Sequence, residues 1–174
     1  MQFAKDSFFL ALQQRLAALN PARTAVISGA NVPAIVVMEN LPPTSAEPQP
    51  NTFYLEWGKA AVVSGNAGNG ALMSVECLVS YYTFGSTQSM VDRGRSLGEL
   101  DSELLSICQP ANARKRDYTH APSADLGTNV FWTQPMFEEA NKSAPVDNAG
   151  RKPDARVQRR AQISVFFFSE VTLR

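Results

Sequence analysis

The sequence MSVECLVSYY at residues 73–82 shows the pattern that decides the fold class. Every second residue is apolar, whereas Ser74, Glu76 and Ser80 alternate with them. Successive side chains of a β-strand point to opposite faces, so this pattern predicts a half-buried strand. Leu78 and Tyr82 interrupt the polar face, which favours a face that becomes covered in an assembly. The apolar positions are Met73, Val75, Cys77, Val79 and Tyr81.

A second long strand is predicted from Val157 onward. Its apolar positions are Val157, Ala161, Ile163, Val165, Phe167 and Val171, and its polar positions are Gln158, Arg160, Gln162, Ser164 and Glu170. Within this strand Phe167 can point inward only if Phe166 and Phe168 point the other way. A lone domain would expose these two rings or cover them with its own helix, and a ring-forming protein could bury them against a neighbour.

Four further segments have strand character. Thr24–Ile27 predicts a short strand, and the continuous apolar run at 32–39 predicts a strand covered on both faces, with Pro33 near its start. Residues 52–63 predict another strand, followed by a hairpin connection at 64–70. A last one is predicted at 129–137 and is cut short by Pro135.

Two helices are predicted from apolar residues at three- and four-residue spacing. The first carries Phe8, Phe9, Leu12, Leu16 and Leu19 and should end at Asn20-Pro21. The second spans about 89–108, with Leu97, Leu100, Leu104, Ile107 and Cys108 facing inward and Glu99, Asp101 and Glu103 facing water. Gly94 and Gly98 weaken its first half, which leaves a start near Ser96 open.

The segments 41–51, 109–128 and 138–156 are rich in proline or polar residues and are interpreted as loops. Together the elements predict an α+β fold in a single domain over residues 1–174. We expect a small mixed, mostly antiparallel sheet with two helices packed on one side and long exposed loops.

The composition limits the classes of function. The 174-residue chain has sixteen basic and sixteen acidic residues, and its formal net charge is zero. Dedicated nucleic-acid binders, by contrast, usually carry an excess of basic residues. No apolar run reaches the ~18 residues that a membrane span needs, and no signal peptide is evident at Met1–Asp6. Cys77 and Cys108 lie in apolar contexts and are expected to be buried free thiols, in keeping with a reducing compartment.

No catalytic, metal or cofactor site is predicted. His120 is the single histidine, it has no short-spaced Cys pair near it, and it is expected at the surface. Gly65 and Gly70 have the spacing of a phosphate loop but lack the Lys-Ser/Thr that should follow, so a hairpin turn is the better interpretation. The chain is therefore not expected to be an enzyme, although a small hydrolase using His120 is an open alternative.

Two clusters of basic residues are candidates for contact with other molecules. Arg114, Lys115 and Arg116 form the first, and Arg151, Lys152 and Arg156, with Arg159 and Arg160 following, form the second. They can be solvated loop charge, or they can contact an acidic neighbouring subunit or passing DNA. The candidate assembly interface comprises Arg114, Lys115, Arg116, Arg151, Lys152, Arg156, Phe166 and Phe168.

The order of these elements resembles the tail terminator proteins of long-tailed phages and related contractile tails. The matching pieces are the helix through Leu19, the strand at 32–37, the strand at 73–84, the helix containing Leu97–Asp101 and the strand at 160–171. In that family a small sheet with helices on one side assembles into a six-fold ring.

The resemblance implies a structural virion protein of the tail-neck region, assembled in the host cytoplasm. Its ring would cap the tail tube, end polymerisation and join the tail to the neck. Its partners would be copies of itself, the tail tube protein and neck or head-completion proteins, with possible passive contact with DNA in the lumen and no membrane. The alternatives are a head-tail connector or tail-completion protein, and a small DNA-binding module.

Overall fold

The computed structural model describes residues 1–41, 48–65, 70–85, 92–139, 141–142 and 156–169. Within these residues, two α-helices, α1 (Gln2–Leu19) and α2 (Asp92–Ile107), accompany a short 3-10 helix at Met38–Asn40 and ten strands. The strands are β1 (Thr24–Ile27), β2 (Ala30–Pro33), β3 (Ile35–Val37), β4 (Phe53–Ser64), β5 (Leu72–Thr83), β6 (Asn112–Asp117), β7 (Ala124–Trp132), β8 (Met136–Phe137), β9 (Asn141–Lys142) and β10 (Val157–Phe168).

The main sheet has the strand order β3-β4-β5-β10-β7-β6. Strand β10 pairs with β5 along its whole length, and its other side is shared in turn by β7, β8 and β9. Strand β3 runs parallel to β4, and the other described pairs are antiparallel. Strands β1 and β2 form a separate hairpin. The predicted α+β fold with a mostly antiparallel sheet is confirmed.

Both helices pack on the same face of this sheet. The Phe8 ring of α1 lies 5.8 Å from the Trp57 ring and 5.1 Å from the Trp132 ring. Asp101 of α2 accepts a hydrogen bond from the Tyr81 hydroxyl of β5. Tyr81 is on the same side of β5 as Cys77, which lies opposite Trp57, so α2 contacts the same face as α1. Burying each large apolar side chain in this layer contributes roughly 1.5–3 kcal/mol, so the covered face holds the core.

The alternation predicted at residues 73–82 is confirmed, and so is the alternation predicted from Val157 as far as Phe168, whereas Glu170 and Val171 lie outside the described residues. On β5, Val75, Cys77, Val79 and Tyr81 are buried, and on β10 the buried residues are Ala161, Ile163, Val165 and Phe167. Helix α1 ends at Leu19, as the Asn20-Pro21 pair predicts. The short strand at Thr24–Ile27 and the strand beginning near Thr52 are also found. Residues 66–69 of the hairpin connection lie outside the described residues.

Two predictions about element boundaries were wrong, and one open alternative is excluded. The polar segment 109–128 contains β6 and the first half of β7, so the strand expected at 129–137 begins earlier and ends at Trp132. The run at 32–39 is divided among β2, β3 and the 3-10 helix, although the three residues of β3 are buried as expected. Helix α2 already includes Asp92, so a start near Ser96 is excluded.

The expectation that Asp101 and Glu103 face water was also wrong. Glu103 accepts hydrogen bonds from Arg23 at 2.9 and 3.0 Å and from Asn20 at 2.7 Å, which ties α2 to the chain after α1. Asp101 contacts the Arg159 guanidinium at 3.2 Å as well as Tyr81. Glu99 is exposed as predicted. Spacing along the helix could not reveal partners supplied by other elements.

Candidate assembly surface

The face of the sheet opposite the helices carries three phenylalanine side chains at one end. Phe166 of β10 lies opposite Ser74 of β5 on one side and opposite Phe131 of β7 on the other. Phe168 lies opposite Leu72. Residues that are directly opposite in paired strands share a face and lie close enough to contact. We call Phe131, Phe166, Phe168 and Leu72 the aromatic patch.

The aromatic patch is partly exposed although it is mostly hydrocarbon. Phe131 is 44% exposed and Phe168 is 42% exposed, while Phe166 and Leu72 are half-buried. Phe167, between Phe166 and Phe168, is fully buried on the helix side. Both described α-helices lie on the Phe167 side of the sheet, so neither covers the aromatic patch. The patch is therefore a surface that a neighbouring molecule could cover.

Strand β4 extends this apolar surface to the edge of the sheet. Ala61 lies opposite Ser74, in the same cross-strand row as Phe166 and Phe131. Further along β4, Val62 and Val63 are 63% and 52% exposed, but Val62 lies opposite Met73 and so belongs to the helix side of the strand. Strand β3 pairs only with residues 53–55 of β4, so among the described residues this end of β4 has no outer neighbour. An edge strand of this kind offers unpaired backbone groups as well as apolar side chains.

The opposite end of the same face is basic and tyrosine-rich. Arg160 lies opposite Ser80, which in turn lies opposite Tyr54. Gln158 lies opposite Tyr82, and the Arg156 guanidinium carbon lies 5.4 Å from the centre of the Tyr82 ring. A cation above an aromatic ring is held by the negative potential of the ring face. This end of the face forms a cleft with a volume of about 180 Å³.

The first basic cluster is largely engaged within the protein. Arg114 is the exposed member and lies 3.8 Å from the Asp125 carboxylate. Lys115 is 2% exposed, and its ammonium donates a hydrogen bond of 2.8 Å to the carbonyl of Phe168. Arg116 donates to the hydroxyl and the carbonyl of Ser123, each at 2.8 Å.

These contacts separate the eight predicted interface residues into groups. Phe166, Phe168 and Arg156 share the face opposite the helices, whereas Arg114 lies on β6 and Lys115 is buried. Arg151 and Lys152 lie outside the described residues. Reading 109–128 as a loop hid the burial of Lys115. As strand β6, the same residues alternate, and Lys115 points away from Arg114 and Arg116.

Sequence reasoning missed Phe131 and Leu72 as members of the patch. Phe131 lies in a segment predicted as a strand, but its position beside Phe166 depends on the pairing of β7 with β10. Register between distant strands is set by tertiary packing, and a single sequence carried no signal for it. The alternation that placed Phe166 and Phe168 on one face was the available signal.

His120, the residue of the hydrolase alternative, lies at the surface. Its side chain is 70% exposed, as predicted, and lies 3.7 Å from the Asp117 carboxylate. Hydrogen bonds from Thr119 lower the pKa of Asp117. Within the described part of the chain no group of three or more His, Cys, Asp or Glu side chains could hold a metal ion. None of its helices is long and apolar enough to cross a membrane.

No family model matches the chain, and a search of curated proteins finds no relative.

Proposed function

We propose that this protein is a structural virion protein that forms a ring, caps the tail tube, ends tail polymerisation and joins the tail to the neck. The observation that carries the proposal is the aromatic patch on a sheet face that neither described α-helix covers. Contiguous exposed apolar surface in a folded domain commonly marks a protein interface. The patch by itself suggests only an interface; the more specific proposal of a tail-tube cap comes from the resemblance in element order to tail terminators.

The two ends of the open face suit subunits that meet head to tail. A closed ring requires two different surfaces on each subunit, since the contact is not between identical patches. The aromatic patch is apolar, and the end around Arg156 and Arg160 is basic. Because the net charge of the chain is zero, such local charge must be balanced elsewhere on the surface, which favours complementary contacts between copies.

A DNA-binding module that uses the first basic cluster receives less support from the geometry. Duplex binding needs several cations aimed at phosphates. In the first basic cluster, Lys115 is buried against Phe168 and Arg116 contacts Ser123, so Arg114 is the cation left at the surface. The contacts of Lys115 and Arg116 therefore stabilise the position of β6, and they leave no row of basic side chains at the surface of this cluster.

Self-association is tested by measuring the mass of the purified chain in solution over a range of concentrations. We expect a ring, and we expect Phe168→Ser to weaken association at least about tenfold, which corresponds to ~1.4 kcal/mol. Leu105→Ser is the matched control, because Leu105 is 40% exposed but lies on α2, away from the patch. Equal effects of the two substitutions would remove the patch from the interface.

The role in the tail is tested with the tube protein of the same virion. Tubes grown with the wild-type chain should stop at a defined length in electron micrographs, with the chain at the tube end, and tubes grown with Phe168→Ser should continue. Binding to the portal side instead would favour a head-tail connector. A chain that stays monomeric and leaves tube growth unchanged contradicts the proposal.

A further inference from the structure

The cleft at the basic end of the open face has the composition of an anion site. Its walls include Tyr54, Ser80, Tyr82, Arg156, Gln158 and Arg160. The strand registers explain why these residues meet: Arg160, Ser80 and Tyr54 form one cross-strand row, and Gln158 and Tyr82 form the next. Three neighbouring strands thus place donor groups in one depression.

The described lining of this cleft carries basic side chains, since Arg156, Arg159 and Arg160 all line it. Among the described residues that line it there is no aspartate or glutamate. The charge of Arg159 is neutralised from the helix side of the sheet, because its guanidinium lies 3.2 Å from the Asp101 carboxylate. Arg160 is exposed, and among the described residues no carboxylate lies within ion-pair distance of its guanidinium. An anion that entered would meet cations without displacing a partner of Arg160.

The neighbouring groups fit an oxygen-bearing anion in particular. A guanidinium presents parallel N–H donors that match two oxygens of a carboxylate or phosphate. The Ser80 hydroxyl and the Gln158 amide can donate further hydrogen bonds. The cleft has a volume of about 180 Å³. That is room for one phosphate or carboxylate group with a short attachment.

We infer that this cleft binds an oxyanion, with Arg160 as its main contact. The anion can belong to a phosphate ester or to a carboxylate, since both share the geometry that a guanidinium recognises. The inference does not rest on the aromatic patch, because the cleft and the patch occupy opposite ends of the open face.

The test uses the purified full chain and titrates inorganic phosphate, and separately acetate, against sodium chloride at equal ionic strength. Binding is followed by NMR shifts of the tyrosine ring and arginine side-chain signals. We expect at least one oxyanion to give saturable shifts that chloride does not give. Arg160→Gln should weaken that binding at least tenfold. Arg95→Gln is the control, because Arg95 is an exposed arginine on α2, and it should change binding less than twofold.

Each outcome decides the inference. Saturation by phosphate alone supports the site and identifies a phosphate-bearing ligand, and saturation by acetate supports it and shows that a carboxylate suffices. Shifts no larger than those in chloride overturn it. Equal binding by Arg160→Gln and wild type also overturns it, provided that urea denaturation shows the variant to be folded.

Discussion

Three consecutive phenylalanines of β10 allow the two faces of the main sheet to be compared directly. Phe167 is fully buried beneath the helices, whereas Phe168 is 42% exposed on the open face and Phe166 is half-buried there. The residue type is the same, so the difference comes from strand alternation and from the placement of both helices on one side. We conclude that the covered face stabilises the protomer and that the open face is available for contacts with other molecules.

Two polar groups of the covered side donate hydrogen bonds to internal acceptors. The indole N–H of Trp132 donates to the carbonyl of Cys108 at 2.9 Å, and the Tyr81 hydroxyl donates to Asp101. The open face shows the reverse, with apolar rings at the surface and cations in a cleft. If this contrast is correct, substitutions on the covered side change the free energy of unfolding, and substitutions on the open side change binding.

The largest effect is expected for Phe167→Ala. The side chain is fully buried and packs in the core, so truncation removes apolar burial and leaves a cavity. We expect the free energy of unfolding to fall by about 3–5 kcal/mol, measured by urea denaturation at a protein concentration where the chain is monomeric. Phe168→Ala is the matched neighbour and should change it by less than about 1 kcal/mol. Similar losses in both variants would break the comparison between the faces.

A smaller loss is expected when Arg15 of α1 is replaced by methionine. Its guanidinium donates to the carbonyls of Ile107, Pro110 and Asn112 at 3.0, 2.7 and 2.9 Å. It also lies 5.2 Å from the Trp132 ring. Methionine keeps an apolar side chain there but leaves the three carbonyls without this donor, so we expect a loss of about 2 kcal/mol in urea denaturation. Arg15→Lys should lose less. A value near zero for Arg15→Met would show that water satisfies these carbonyls equally well.

A pH-dependent effect is expected from the two thiols of the covered side. Burial raises the pKa of Cys108 to about 12 and also raises the pKa of Cys77. In the unfolded chain a thiol ionises near pH ~8.5, so the stability linked to these thiols is fully present below that pH. It is lost as the pH rises toward the folded values, at up to about 1.4 kcal/mol per pH unit for each thiol.

The measurement is the free energy of unfolding between pH 8 and pH 10 in the wild type and in a Cys77→Ala/Cys108→Ala double variant. The double variant should show the shallower decline. Part of the decline should persist, because burial and the hydrogen bond to Asp101 raise the pKa of Tyr81 as well. Parallel curves for the two proteins would mean that the thiols reach solvent in the folded state.

The sequence allowed the elements with strong periodicity to be predicted. Helix α1 and strands β5 and β10 were found because their apolar residues recur at regular spacing along a buried face. The same reasoning placed Phe167 inside and Phe168 outside. These predictions depend on local geometry alone, and so one sequence sufficed.

The elements that were missed depend on partners distant in the sequence. Strand β6 reads as a charged loop, but Lys115 is buried because its ammonium reaches the Phe168 carbonyl 53 residues away. Helix α1 also contacts β6, because the Ser7 hydroxyl accepts a hydrogen bond from the backbone N–H of Arg116 at 2.9 Å. The cleft around Arg160 likewise requires the registers of β4, β5 and β10. Side-chain chemistry along the chain could not supply these pairings.

The position of β10 has a consequence for how the protein is made. It follows all the other described strands in the chain, yet it lies between β5 and β7 at the centre of the sheet. During translation, β3, β4 and β5 can pair as soon as they emerge, but β6 and β7 have no central strand to join until β10 arrives. Such non-local closure slows folding and leaves strand edges open to aggregation in the meantime. Nascent chains halted before Val157 should therefore need a chaperone more than the full chain does.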